Sequence, residues 1–265
     1  MSVAPAARAS TFGADRWALL VGIDHFEGRT RPNVGAVGDV EVMRAALVQS
    51  GWPSDHIRTL TDGGARADDI RAGLTWLAAN STPGGFSVFS YSGHVKQSGS
   101  TEYLWPHDNR FISDAELASS LRGVRGRLWA NVAGCEAAGF DEGISGPDRL
   151  FTASSQASEK SYEFPAAANS IFDWLLVERG LLGGEADANH DGRVSIQEAF
   201  GFAADRAPGL TAGQSHGPQH PFVAGGSGGD WYLGATGGAN GAAAAPSSTA
   251  LPAPPCFLIF CLFAR

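Results

Sequence analysis

The sequence predicts an α/β fold, a mostly parallel central sheet with helices on both faces, on three observations. Apolar runs of strand length occur at WALLVGID (17–24), FSVFSYS (86–92) and RLWANVA (127–133), and runs apolar throughout belong to strands buried on both sides. Helix-period segments alternate with them, as parallel strands require, because each crossover has to return the chain to the same end. The chain has 265 residues, of which about 235 have ordinary globular composition, enough for one sizeable core.

Each element has its own local signal. GDVEVMRAALVQSG (38–51) places Val40, Met43, Ala46 and Leu47 at helical spacing, with Gly51 as its stop. IRTLTD (57–62) reads as a short strand, and ADDIRAGLTWLAAN (67–80) as a helix with Ile70, Leu74 and Leu77 on one face and acidic residues in its first turn. ISDAELASSLRGV (112–124) is a helix opened by Ser113 with Glu116 three residues on, a capping box. RLFTASSQ (149–156) is a fifth strand; SIFDWLLVERGLL and VSIQEAFGFAADRA are two further helices.

The chain divides into a lead (1–15) expected to be disordered, a folded domain (16–234) and a low-complexity tail (235–265) rich in Gly, Ala, Pro and Ser. DWYL, at the domain's end, is a candidate edge strand. The last residues, CFLIFCLFAR, hold an apolar run of eight, far below the roughly twenty of a spanning helix. A sticky tail, an interaction peptide and a gene-model artefact are its open readings, and no function is assigned to it. No apolar core of signal-peptide length opens the chain. A net charge of -8 and a pI near 5.3 exclude nucleic acid and an anionic membrane as main partners. Three cysteines, two of them in the tail, make no disulfide framework, so a reducing, cytoplasmic setting is expected.

Two of the apolar runs end in a reactive side chain just past a glycine: His94 after Gly93, and Cys135 after Gly134. Neighbouring parallel strands lie about 4.8 Å apart, and ligands gather beyond their C-terminal ends. The two side chains would then reach one substrate carbonyl, Cys135 as nucleophile and His94 as general base. The amides of Gly93 and Cys135 are the candidate oxyanion donors. The plain alternative is a buried, inert cysteine beside a hydrogen-bonded strand-end histidine.

The order ALLVGID, GAVGDVEVMRAAL, DDIRAGLTWLA, FSVFSYSGH, LWANVAGC and LFTASSQASEKSYE resembles the caspase/metacaspase superfamily of cysteine peptidases, over roughly residues 16–206. The resemblance implies a caspase-like three-layer sandwich, with the histidine after the third strand and the cysteine after the fourth. The two are 41 residues apart here, against about 50 in caspases. It also implies a substrate pocket at Asp39, Ser92 and Ala133. Where metacaspases carry an acid two positions before the cysteine, this chain has Ala133, while Asp39 is retained; cleavage after Arg or Lys is the implied preference. A helix N-cap is the competing role for Asp39. The flanking Glu136-Ala137-Ala138 also leaves the family pattern.

DANHDGRVSIQE (187–198) matches an EF-hand loop: Asp187, Asn189 and Asp191 at positions 1, 3 and 5, Gly192 at the turn, the Arg193 carbonyl at 7, Ser195 at 9 and Glu198 at 12. One such loop is expected to hold a structural Ca²⁺; the alternative is an acidic turn that caps the next helix through Ser195. Asp62, Asp68 and Asp69 are a weaker regulatory cluster. His25, His56, His107, His216 and His220 show no metal spacing.

The sequence thus predicts a single-chain, monomeric cysteine endopeptidase that takes a peptide or protein substrate by strand addition along TASSQASEKSYE. The rival is an inactive caspase-like binding or regulatory module stabilised by Ca²⁺. A cysteine hydrolase acting on another acyl substrate is the third reading.

Overall fold

In the computed structural model the described residues are 15–234, together with the backbone of residues 258–259. The lead and most of the tail named above lie outside them.

The central sheet has six strands. β1 (Arg16–Gly22), β2 (Ile57–Thr61) and β3 (Phe86–Ser92) come first in the chain. A small antiparallel sheet of β4 (Val95–Ser98), β5 (Thr101–Leu104) and β6 (Ile112–Ser113) grows from the end of β3. β7 (Arg127–Ala133) and β8 (Arg149–Ala153) return to the main sheet. β9 (Tyr162–Phe164) and β10 (Asn169–Ser170) form a second small sheet, and β11 (Phe222–Gly225) closes the main one. The main order is β11-β8-β7-β3-β1-β2, parallel throughout except for the antiparallel β11. This is the expected α/β architecture.

Its helices divide between the two faces. α1 (Ala36–Gln49), α4 (Ile171–Asp173, continuing as the π-wound Trp174–Leu182) and α5 (Ile196–Thr211) pack on one side; α2 (Ala67–Asn80) and α3 (Asp114–Arg122) pack on the other. β1 supplies both cores by simple alternation: Ala18 and Leu20 point to the first, Leu19 and Val21 to the second, joined there by Ile23 just past the strand. Each fully buried aliphatic side chain contributes about 1.5–3 kcal/mol, so this alternation specifies register strongly.

Several local expectations change. Asp39 lies inside α1, whose N-cap is Gly35, so the N-cap role falls away. Gly51 does end the helix, at φ +86°, where a Cβ would be strained. Ser113 caps α3 by accepting from the Glu116 N–H at 3.2 Å, while the Glu116 carboxylate pairs with Arg71, leaving half of the expected box. β8 stops at Ala153 because the Ser154 and Ser155 hydroxyls turn back to the Gly134 carbonyl, at 2.8 and 3.0 Å. DWYL forms no strand; it is anchored by Trp231, 1% exposed, whose carbonyl accepts from the Ile196 N–H at 2.8 Å.

Candidate functional site

The two reactive residues arrive at one place by register. β3 and β7 pair in parallel with Ser92 opposite Ala133, so His94 and Cys135 each stand two residues past a matched pair. The chains stay close beyond the strands: the Gly93 N–H donates to the Ala133 carbonyl at 3.1 Å. A Cβ on Gly134 would meet the Gly93 oxygen at 2.9 Å and Val95 Cγ2 at 2.7 Å, which explains the glycine before the cysteine. The same geometry overturns one expectation. Because the Gly93 N–H is committed to Ala133, it is not an oxyanion donor.

His94 is fully buried, stacked on Phe26 at 4.8 Å with Trp105 at its edge. Its Nε2 lies 2.7 Å from the Arg31 carbonyl. A carbonyl only accepts, so Nε2 carries the proton and Nδ1 is the basic nitrogen. Neither Arg31 nor Phe26 was legible as a partner, since a backbone carbonyl and a lone aromatic leave no sequence signal.

Cys135 is also fully buried. The Ser161 N–H points at its Sγ from 3.2 Å. Glu136 follows in the left-handed region at φ 50°, with its carboxylate paired to Lys160 and its N–H bonded to the Glu159 carbonyl at 2.8 Å. These contacts bring the 154–161 loop against the nucleophile. Cys135 itself is in a disulfide, against the expectation of free thiols. The chain's other cysteines, Cys256 and Cys261, fall outside the described residues.

Behind Ser92 lies a buried acidic locus. The Ser92 hydroxyl donates to Asp39 Oδ2 at 2.6 Å, and Asp39 Oδ1 accepts from Asn169 Nδ2 at 3.1 Å and Ser170 N at 2.9 Å. Burial still pushes the Asp39 carboxyl up to about 7. On β9, Glu163 Oε1 accepts from Val34 N at 2.6 Å and Gly35 N at 2.9 Å; burial, with the charges of Asp24 and Asp39, raises it to about 8. Asp173 is raised well above its ordinary range by burial and by Asp39. Its Oδ1 accepts from Asn131 Nδ2 at 3.0 Å, and its Oδ2 has no partner among the described residues. Ala133 is fully buried at the end of β7. Asp39 and Ser92 are therefore joined by a hydrogen bond. Glu163 and Asp173 were not singled out, although SYE was among the more specific stretches.

The 187–198 loop is closed on itself. Asp187 accepts from Asp191 N at 3.2 Å and Gly192 N at 3.0 Å, Asn189 Oδ1 from Asp191 N at 2.8 Å, and Asp191 from Arg193 N at 2.9 Å. Gly192 turns at φ 80°. Ser195 and Glu198 form a full capping box on α5, and Glu198 Oε1 reaches back to Asn189 N at 3.4 Å. Among the described residues no three His, Cys, Asp or Glu side chains gather as a metal group; the loop's carboxylates serve its own amides. The weaker cluster is also dispersed: Asp62 accepts from the Asp24 and His25 amides, and Asp68 pairs with Arg71 and Arg110. Among the described residues no helix is long and apolar enough to cross a membrane.

The model of the caspase domain matches residues 15–177. No curated protein matches the chain in sequence. Among solved structures, a structural-genomics target from Geobacter sulfurreducens aligns with a TM-score of 0.59 at 16% identity, over 80% of this chain and 94% of its own. Caspase-1 from Spodoptera frugiperda aligns with a TM-score of 0.59 at 14% identity, over 84% of this chain and 90% of its own. At those identities the structures speak for the fold, while the domain model covers more than half of the chain. The α/β sandwich with its strand-end histidine and cysteine belongs to the caspase-domain family.

Proposed function

We propose that this chain is a caspase-type cysteine endopeptidase. One observation carries the reading: His94 and Cys135 each stand two residues beyond the in-register pair Ser92 and Ala133, with the His94 ring oriented by the Arg31 carbonyl. In the reduced state, the Cys135 thiolate attacks the scissile carbonyl and forms a thioester. His94 delivers its proton to the departing amine, then activates the water that releases the acid. Asp39, Ser92 and Glu163 favour a basic side chain before the cleaved bond. A guanidinium or ammonium would stabilise the ionised form of carboxyls whose protons burial holds more tightly than usual.

The reading also includes a structural Ca²⁺ in the 187–198 loop, held by Asp187, Asn189, Asp191, the Arg193 carbonyl, Ser195 and Glu198. The donors are all oxygen, as Ca²⁺ prefers, and Glu198 already bridges the loop's two ends. Bound there, the ion would tie the loop to α5.

The disulfide on Cys135 favours a second reading, an inactive binding module. Kinetic labelling separates the two. After reduction, iodoacetamide should modify Cys135 rapidly at neutral pH and slowly in His94→Ala, and a peptide panel ending in Arg, Lys, Asp or Ala should show turnover on the basic members. A slow thiol indifferent to His94, with no turnover on any peptide, would sink the enzyme.

A further inference from the structure

The buried acid Asp173 has no part in the reaction set out above. We propose that it forms the inner end of the substrate pocket, where its unpartnered Oδ2 takes the guanidinium of an arginine whose stem passes Asp39, so that arginine is selected over lysine. The inference rests on the peptidase reading for the use of the pocket, and adds to it the residue that separates the two basic side chains.

Strand register sets the depth of the two acids. β3 and β7 pair with Ser92 opposite Ala133 and Ser90 opposite Asn131. Residues two apart on a strand share a face, here the one on which Ala133 packs with Val40 of α1 and Ile171 of α4. Ser92 holds Asp39 at the outer rung. At the inner rung Asn131 Nδ2 donates to Asp173 Oδ1 at 3.0 Å and reaches Ser90 Oγ at 3.3 Å. The rungs are about 6.6 Å apart along the strands, so Asp173 is the deeper acid as seen from the strand ends. On β7 only the methyl group of Ala133 shares that face between Asn131 and the end of the strand. Ser170 places both carboxyls: its N–H donates to Asp39 Oδ1 at 2.9 Å, and its hydroxyl accepts from the Asp173 N–H at 3.0 Å.

The orphaned oxygen is the second support. Asp173 is fully buried, and its Oδ2 meets no donor among the described residues. Its neighbours are committed elsewhere. The Asn131 amide is shared between Asp173 and Ser90, and the Thr152 hydroxyl donates to Asn131 Oδ1 at 2.7 Å. A buried acceptor left open in an otherwise satisfied network is a place for a donor from outside it.

Charge favours a cation as that donor. Asp39 is the charge that acts on Asp173; Glu163 faces Asp39 in turn, and Asp24 acts on Glu163. A guanidinium presents five N–H donors in one plane and can meet Asp173 and Asp39 together, whereas an ammonium is a compact point charge that serves one acid. As each acid ionises against the cation, its proton passes to the buffer. Binding is therefore linked to proton release, and arginine releases the proton of Asp173 in addition to that of Asp39.

The experiment uses the full-length chain with Cys135→Ala, which binds without cleaving. Calorimetric titration takes two peptides identical except for Arg or Lys before the scissile bond, each in two buffers of different ionisation enthalpy. The Arg peptide should bind about tenfold more tightly or better, and near pH 6.5 it should release about one proton more than the Lys peptide. Asp173→Asn keeps an acceptor for Asn131; it should bring the two affinities within about twofold and remove the extra proton. Asp39→Asn should weaken both peptides and leave their ratio. The comparison of the two peptides in the Cys135→Ala parent stands even if Asp173→Asn folds poorly. Equal affinities or equal proton release in that parent, or an unchanged ratio in a folded Asp173→Asn, overturns the inner acid. If the reduced chain with Cys135 intact cleaves both peptides equally well, the peptidase reading stands and the inner acid falls. If the peptides bind as stated and the reduced chain cleaves neither, Asp173 keeps its role and the peptidase reading goes.

Discussion

The Ser92 hydroxyl donates to Asp39 at 2.6 Å, joining the end of the strand that carries His94 to a buried carboxyl on α1. Two more donors, from Asn169 and Ser170, fix that carboxyl against the start of α4. The contact therefore binds three elements at the floor of the site, where burial makes the carboxyl sensitive to protons.

Burial raises Asp39 from its ordinary 3.8 to about 7 and Glu163 from 4.5 to about 8. The folded state holds these protons more tightly than the unfolded chain does. Their contribution to stability is complete below about pH 4 and is lost as pH climbs through 7 to 8. Melting temperature should fall between pH 5 and 8, and Asp39→Asn should flatten that slope. A wild-type slope unchanged in the variant would show that Asp39 is not the titrating group.

Specificity should follow the same carboxyls. Asp39→Asn in the reduced protein should lower kcat/KM on an Arg peptide by about 10- to 100-fold, the equivalent of about 1.5–3 kcal/mol for a hydrogen bond to a charged group. The parent's activity on that peptide should rise with pH toward 8, as Asp39 and Glu163 ionise.

Asn131 bridges Asp173 and Thr152, donating to the first at 3.0 Å and accepting from the second at 2.7 Å. Asn131→Leu should cost about 1–3 kcal/mol in urea unfolding because it leaves buried polar partners unmatched. Adding Asp173→Leu should recover part of that loss. Strict additivity of the two changes would mean the pair is not coupled.

Gly134→Ala pushes a methyl group into the Gly93 carbonyl and Val95. Spreading the two strand ends should cost about 1–3 kcal/mol and slow Cys135 labelling in the reduced chain. A variant as stable and as reactive as the parent would rule out tight apposition.

Calcium should raise the melting temperature and a chelator should reverse the effect, with about 2.7 kcal/mol gained at a hundredfold excess over Kd. Asp187→Ala should abolish the response. Glu198→Ala should weaken it and should also loosen the capping box on α5, a loss of about 1 kcal/mol without any metal.

The central strands were legible because their signal is local: strands buried on both faces must be apolar throughout, so their runs stand out. The adjacency of Ser92 and Ala133 followed from helices between those runs. The hairpin β4–β5 and the short β9, β10 and β11 were not foreseen, since two to four residues of mixed polarity carry no period. Buried Trp231 was obscured by its glycine-rich surroundings. The site divides in the same way. His94 and Cys135 were visible as side chains, whereas the Arg31 carbonyl and the commitment of the Gly93 amide belong to backbone geometry. Glu163 and Asp173 were hidden because a buried acid looks like any surface acid until its neighbours are known.

Glu163 also links two parts of the site. Its carboxylate holds the amides of Val34 and Gly35, three and four residues along the chain from the carbonyl that orients His94. The strand that would carry a substrate and the anchor of the general base are thus two ends of one short linkage. A peptide seated firmly on β9 would steady the imidazole, and one that distorts β9 would slacken it. Discrimination between peptides can then operate through the aim of the base as well as through the fit of a side chain.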